Sequence, residues 1–166
     1  NDVRLVDAAE SRDSALARSL LESDVSVDET QPDGTSALHW ASHFEQIDLV
    51  NLLLAKGADP NVTNRYGVTP LSLAATNGSP AVVTALLDAG ARPNTASPYG
   101  ETPLMTAART GNAEVVSRLL TAGANVNTKE TWRGQTALMW AAAEKNAAAA
   151  HVLIEMGADV SARSDG

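Results

Sequence analysis

The sequence predicts an all-α fold in which short antiparallel helices pair off and the pairs stack into a solenoid. Three observations carry that expectation. The 166-residue chain repeats itself, with "DGTSALHWA", "YGVTPLSLA", "YGETPLMTA" and "RGQTALMWA" starting at Asp33, Tyr66, Tyr99 and Arg133. Gly34, Gly67, Gly100 and Gly134 are each followed by a second glycine 23 residues on, at Gly57, Gly90, Gly123 and Gly157. Between them lie two apolar blocks at helical spacing, and a sequence period near 33 is the mark of a stacked repeat architecture.

Each unit opens with a thin helix. Leu38, Leu71, Leu104 and Leu138 are followed three residues on by Ala41, Ala74, Ala107 and Ala141, and then by Ser42, Ala75, Ala108 and Ala142. One large and two small residues at i, i+3 and i+4 describe a helix packed close to its neighbours. A bulkier second helix follows, with Leu49, Val50, Leu53 and Leu54 recurring as Val82, Val83, Leu86 and Leu87, then as Val115, Val116, Leu119 and Leu120. Ser79-Pro80 reads as an N-cap followed by proline at the first helical position. The second glycine of each unit ends that helix in a left-handed turn, and "KGADPN", "AGARPN", "AGANVN" and "MGADVS" lead to the next unit.

The edges differ. "LVDAAESRDSALARSLLESDVSV" keeps the spacing from Leu5, with Arg12 and Asp24 where glycines stand elsewhere, and reads as a polar capping repeat. The fifth unit is thinner, with Ala149 and Ala150 in the Val-Val places, and Asp165-Gly166 is where a sixth would open. A parent chain that continues, or a partner over that face, is expected. The divisions are a capping repeat over 1–32 and repeats over 33–65, 66–98, 99–132 and 133–165.

These T-P-L-H-x-A-like openings resemble the ankyrin repeat over nearly the whole chain. The resemblance implies paired antiparallel helices with β-turn fingers, about five repeats including the cap, and recognition of protein partners. The phrases "NRYGVTPLSLAATNG", "GQTALMWAA" and "LVDAA" resemble exported ankyrin-repeat proteins of environmental bacteria, some joined to domains such as cytochromes. A periplasmic or extracellular home is therefore expected ahead of a cytoplasmic one. Asn1 is expected to be a processed or trimmed terminus.

Composition removes several functions. Without cysteine there is no thiolate metal site or Cys nucleophile. Net charge is −8, and residues 1–33 carry −6 of it, nine acids against three arginines. With no basic stripe, nucleic acid is not an expected partner. No apolar run reaches the roughly 18 residues of a membrane helix. "HWASHFE" places His39 and His43 four apart, the spacing of two zinc ligands on one helix face, but a zinc hydrolase of that type needs Glu directly after the first His, and Trp40 stands there. The resemblance gives His39 a plainer task, hydrogen bonding between neighbouring repeats. His151 reads as a lone solvated side chain. There is no G-x-S-x-G elbow and no glycine-rich phosphate loop. No catalytic residue, metal, cofactor or small-molecule substrate is expected.

The six aromatic residues gather on one side in this register. Trp40, Phe44 and Trp140 fall two or six places after the buried leucine, with Leu73, Asn77, Thr106, Thr110 and Glu144 as their counterparts, on the side expected to be exposed. Tyr66, Tyr99 and Trp132 fall on the fingers. Trp, Tyr and Arg are enriched at binding hot spots. The expected binding set is Trp40, His43, Phe44, Arg65, Tyr66, Tyr99, Arg109, Trp132, Arg133 and Trp140. It would hold a protein partner, with the chain a scaffold or a subunit of a larger, redox-type complex. Trp132 stands out because the finger "NTKETWRGQ" is one residue longer than the others.

Overall fold

In the computed structural model, which describes residues 3–23 and 25–165, ten helices form five pairs. They are α1 (Arg4–Glu10) with α2 (Ser14–Leu21), α3 (Ala37–His43) with α4 (Ile47–Ala55), α5 (Pro70–Asn77) with α6 (Pro80–Asp88), α7 (Pro103–Thr110) with α8 (Ala113–Thr121), and α9 (Ala137–Ala143) with α10 (Ala147–Glu155). The first helices pack in sequence, α1 on α3 through to α9, and the second helices form a parallel layer from α2 to α10. Among the described residues, β-structure amounts to one bridge, Thr30 to Ser36. The chain is an α-solenoid.

The threonine or serine of each opening motif explains where the first helices begin. Ser36, Thr69, Thr102 and Thr136 take extended backbone angles, and each side chain accepts the N–H of the residue three ahead. Such a cap satisfies one of the unpaired amides at a helix start. Ser79 holds the expected N-cap place of α6, but its side chain makes no capping bond. Pro80 still presets the backbone there, because its ring fixes φ at a helical value.

The core runs along the seam between the layers. Leu38, Leu71 and Leu104 are buried, as are Leu49, Val50 and Leu53 of α4 and their counterparts in α6 and α8. Leu138 is only half buried and Ala142 is exposed, since no further helix pair packs on α9 among the described residues.

The turn between paired helices uses the left-handed backbone region in every unit. Gly78 (φ 71°) and Gly111 (φ 82°) adopt it freely, whereas Arg12, Glu45 and Lys145 hold it with side chains. Arg12, which stands where other units carry glycine, thus takes the same left-handed conformation, while Asp24 lies outside the described residues. So do Asn1 and Gly166.

The asparagines that close each linking motif tie the units together. The side-chain oxygens of Asn61, Asn94 and Asn127 accept the N–H groups of Arg92, Asn125 and Asp159. Their Nδ2 groups donate to the carbonyls of Gly90, Gly123 and Gly157. No helix is long and apolar enough to cross a membrane among the described residues.

Candidate functional site

Each finger is a tight turn closed by its own backbone. Gln31, Asn64 and Ser97 donate their N–H groups to Thr35, Val68 and Glu101 four residues on. In the fourth finger, Glu130 donates to Gln135, five residues on. Register across the fingers aligns Trp132 with Tyr66 and Tyr99, each two residues past the turn's opening residue. Counted back from the finger glycine, Arg133 stands where Tyr66 and Tyr99 stand, and its carbonyl accepts the N–H of Asp165 as the Tyr99 carbonyl accepts that of Thr131. Trp132 and Arg133 together fill the stretch that one residue fills in the other fingers.

Glu130 makes the longer turn possible. Its carboxylate accepts the N–H groups of Trp132 (2.6 Å), Arg133 (2.9 Å) and Gln135 (2.9 Å). A shorter side chain serves the shorter turns: Asn64 Oδ1 accepts from Tyr66 and Val68, and Ser97 Oγ from Tyr99 and Glu101. Burial raises the carboxyl pKa of Glu130, but the three backbone donors and the charge of Arg133 outweigh it and hold the group below its ordinary value.

The fingers hold their rings out. Tyr66, Tyr99 and Trp132 are 61%, 70% and 76% exposed. Arginines flank two of them: Arg65 lies over Tyr66 at 5.9 Å while donating to the carbonyl of Pro32, and Arg133 lies over Trp132 at 4.3 Å.

The helix residues differ from expectation. Trp40 and Trp140 are half buried and pack against the core, and Thr106 is buried. Trp40 and Trp140 face the bases of the fingers beside them rather than open solvent, the Trp40 indole donating to Gln31 of the finger that precedes it. Trp40 stacks on Phe44 (5.8 Å, 14°), His43 meets Phe44 edge-on at 4.8 Å, and Arg12 lies over Phe44 at 5.3 Å. His43 itself is exposed. Arg12 was absent from the sequence-derived set because its role depends on how the first pair docks. Arg109 lies over Trp140 at 5.5 Å.

His39 is buried, with both ring nitrogens in use. Nδ1 accepts the N–H of Ser36, and Nε2 donates to the carbonyl of Val68 in the next unit at 2.9 Å. That is the inter-repeat bond the resemblance implied. Burial pushes its pKa below the ordinary value, against the opposing pull of the Val68 carbonyl and Asp33. Among the described residues no three His, Asp or Glu side chains are grouped to hold a metal. His151 is not alone: its Nε2 lies 3.2 Å from Glu155 one turn on.

Two of the clefts between fingers and first helices are lined by the exposed rings. The first, about 360 Å³, is lined by Asp33, His39, Trp40, His43, Tyr66 and Leu73, among others. The second, about 420 Å³, is lined by Tyr99, Glu101, Glu130, Trp132, Gln135 and Trp140. Six of the ten sequence-predicted residues fall in these clefts. Phe44, Arg65, Arg109 and Arg133 stay outside them, bracing ring faces. Glu101, Glu130 and Gln135 went unnoticed, although the lengthened finger could have drawn attention to the carboxylate that opens it. A hollow of about 450 Å³ on the second-helix side has its cation already engaged, since Arg118 bonds Glu114 and Thr84.

The fold defines a repeat scaffold that holds exposed rings on its finger side. The family model for ankyrin repeats (three copies) matches residues 5–97 and again 71–164. The chain belongs to the ankyrin-repeat family. It is 40% identical over 68 residues to the transient receptor potential cation channel subfamily A member 1 homolog of Caenorhabditis elegans, a match covering 41% of this chain and 6% of that protein. It is 38% identical over 76 residues to the human 2-5A-dependent ribonuclease, covering 45% of this chain and 10% of the relative. It is 34% identical over 83 residues to mouse protein phosphatase 1 regulatory subunit 27, covering 49% of this chain and 54% of that protein. The chain thus spans about a tenth or less of the first two relatives and about half of the third.

Proposed function

We propose that this chain is a non-catalytic binding module that recognises a protein partner through its fingers and the adjoining first-helix face. One observation carries the reading: Tyr66, Tyr99 and Trp132 stand in three consecutive fingers, each more than 60% exposed, over two clefts on that same side. Large rings held out by a rigid scaffold contribute contact area with little further loss of side-chain freedom. Glu101 and Glu130 line the second cleft, which favours a partner that brings a basic group there. The units of this reading are the capping repeat 1–32 and repeats 33–65, 66–98, 99–132 and 133–165.

The test is affinity capture from the source cell with this chain as bait, beside a Tyr66→Ala, Tyr99→Ala, Trp132→Ala triple variant. The rings are exposed, so the triple variant should keep the parent's melting profile. A protein retained by the parent and lost by the variant supports the finger face. Equal retention by both moves the site elsewhere and ends the proposal.

A second reading is that the chain is an accessory part of a larger protein, such as a redox enzyme. It is favoured by the small share of the longer relatives that the match occupies. The intact mass of the natural protein decides it. We further propose a periplasmic or extracellular setting, on the resemblance to exported bacterial repeats. Fractionation of source cells that finds the protein only in the cytoplasm would remove that proposal.

A further inference from the structure

The two clefts look alike in outline but differ in chemistry. In the first, the Trp40 indole N–H donates to Gln31 Oε1 at 3.3 Å, and the carboxylate, Asp33, already accepts the N–H of Thr35. The second lies between the fingers of Tyr99 and Trp132, and there Trp140, the counterpart of Trp40 within its own repeat, has its Nε1 buried with no hydrogen-bond partner. The reason lies in the finger. The place of Gln31 is taken by Glu130, and both oxygens of Glu130 are filled by backbone N–H groups of the lengthened turn. A buried donor without an acceptor costs free energy, and the Trp140 ring lacks the tether that Gln31 gives Trp40.

The walls of the second cleft are three aromatic side chains, Tyr99, Trp132 and Trp140, and two acids, Glu101 and Glu130, with no cation among the lining residues. Glu101 is exposed, so its charge is open to an incoming group. The rings already act as cation platforms from outside, Arg133 over Trp132 and Arg109 over Trp140, but neither guanidinium lines the cleft. Aromatic faces attract ammonium groups through their quadrupole, and cages of several rings are the recurrent solution for alkylated ammonium. Lysine suits such a place, with an apolar stem to lie along the rings and a charged head for the carboxylate.

We propose that the cleft between Tyr99, Trp132 and Trp140 is a receptor for the alkylammonium side chain of a lysine on a basic partner segment. The inference rests on the reading of the finger face as the partner-binding surface and names the group that face receives.

The test uses the whole chain labelled with ¹⁵N and follows its three indole N–H signals. The probes are N-acetyl-lysine methylamide, its ε-trimethyl form, and N-acetyl-norleucine methylamide as the uncharged counterpart. Either ammonium probe should shift the Trp132 and Trp140 signals at millimolar concentration and leave Trp40 in place. The norleucine probe should bind about tenfold more weakly, the size expected of a cation over partly desolvated rings. Trp132→Ala should abolish the shift at Trp140 without lowering the melting temperature, and Glu101→Gln should weaken the lysine probe more than the norleucine probe. Equal binding of norleucine would make the cleft a plain apolar pocket. No shift with any probe, or an equal shift at Trp40, would overturn the assignment. Capture of a partner that depends on the finger rings, alongside failure of every ammonium probe, would sink this inference and leave the broader reading standing.

Discussion

Asn94 and Asn125 are joined across the boundary between two units: the Asn125 N–H donates to Asn94 Oδ1 at 2.8 Å, while Asn94 Nδ2 donates to the Gly123 carbonyl at 2.9 Å. One side chain thus holds both a donor and an acceptor of the next loop. Asn94→Ala should destabilise the chain by about 1–2 kcal/mol, one modest contribution for each exposed bond lost. Asn94→Asp keeps the acceptor and loses the donor, so its urea midpoint should fall between those of the parent and the alanine variant. Equal midpoints for all three would mean that water replaces the clamp at no cost.

Burial separates two neighbouring leucines in α6. Leu86 is fully buried, whereas Leu87 is only half buried. Leu86→Ala should cost about 2–5 kcal/mol through lost transfer energy and the cavity left behind, and Leu87→Ala clearly less. Denaturant unfolding of both variants checks the order, and a reversed order would misplace the seam between the layers.

The left-handed turns allow a test in both directions. Lys145 holds φ at 60°, while Gly111, its counterpart one unit earlier, holds 82°. Lys145→Gly should be neutral to about 1 kcal/mol stabilising, because relief of left-handed strain exceeds or matches the added chain entropy of glycine. Gly111→Ala should destabilise. Its Cβ would stand 2.6 Å from Asn146 Oδ1, disturbing a side chain that bonds the carbonyls of Ala108 and Arg109. Melting temperatures of the two variants should move apart.

His39 makes stability depend on pH on the acid side. Its folded pKa is lowered, chiefly by burial, from the ordinary 6.5. The unfolded chain therefore takes up the proton first, and stability is lost as pH falls below that value toward the folded pKa. Protonated Nδ1 would also meet the Ser36 N–H with a proton of its own. His39→Ser should flatten this dependence, since Ser72 stands at the same place in the next unit and accepts the Thr69 N–H with its hydroxyl. Urea midpoints measured from neutral pH down to about pH 5 compare the two, spanning the ordinary range of histidine titration. Parallel curves would show that another group controls the acid limb.

Much of this molecule was written in local pattern. The period, the Leu-x-x-Ala-Ala and Val-Val-x-x-Leu blocks, the capping threonines and the spaced glycines each act within one or two turns of chain, so residue order alone determined the helix pairs and their stacking. It also placed Tyr66, Tyr99 and Trp132 on the fingers, because a turn between fixed helices leaves its tip nowhere else to go. What only tertiary structure decided was how each side chain meets the neighbouring unit. Close packing of the first helices sank Trp40, Trp140 and Thr106, and docking of the first pair set Arg12 over Phe44. The longer reach of Glu130 closed the lengthened turn, and that left Trp140 without the acceptor Trp40 enjoys. Some of these relations join neighbouring units, as Arg12 with Phe44, and others a helix with its own finger, as Trp40 with Gln31; in both, only packing sets distance, burial and hydrogen-bond satisfaction.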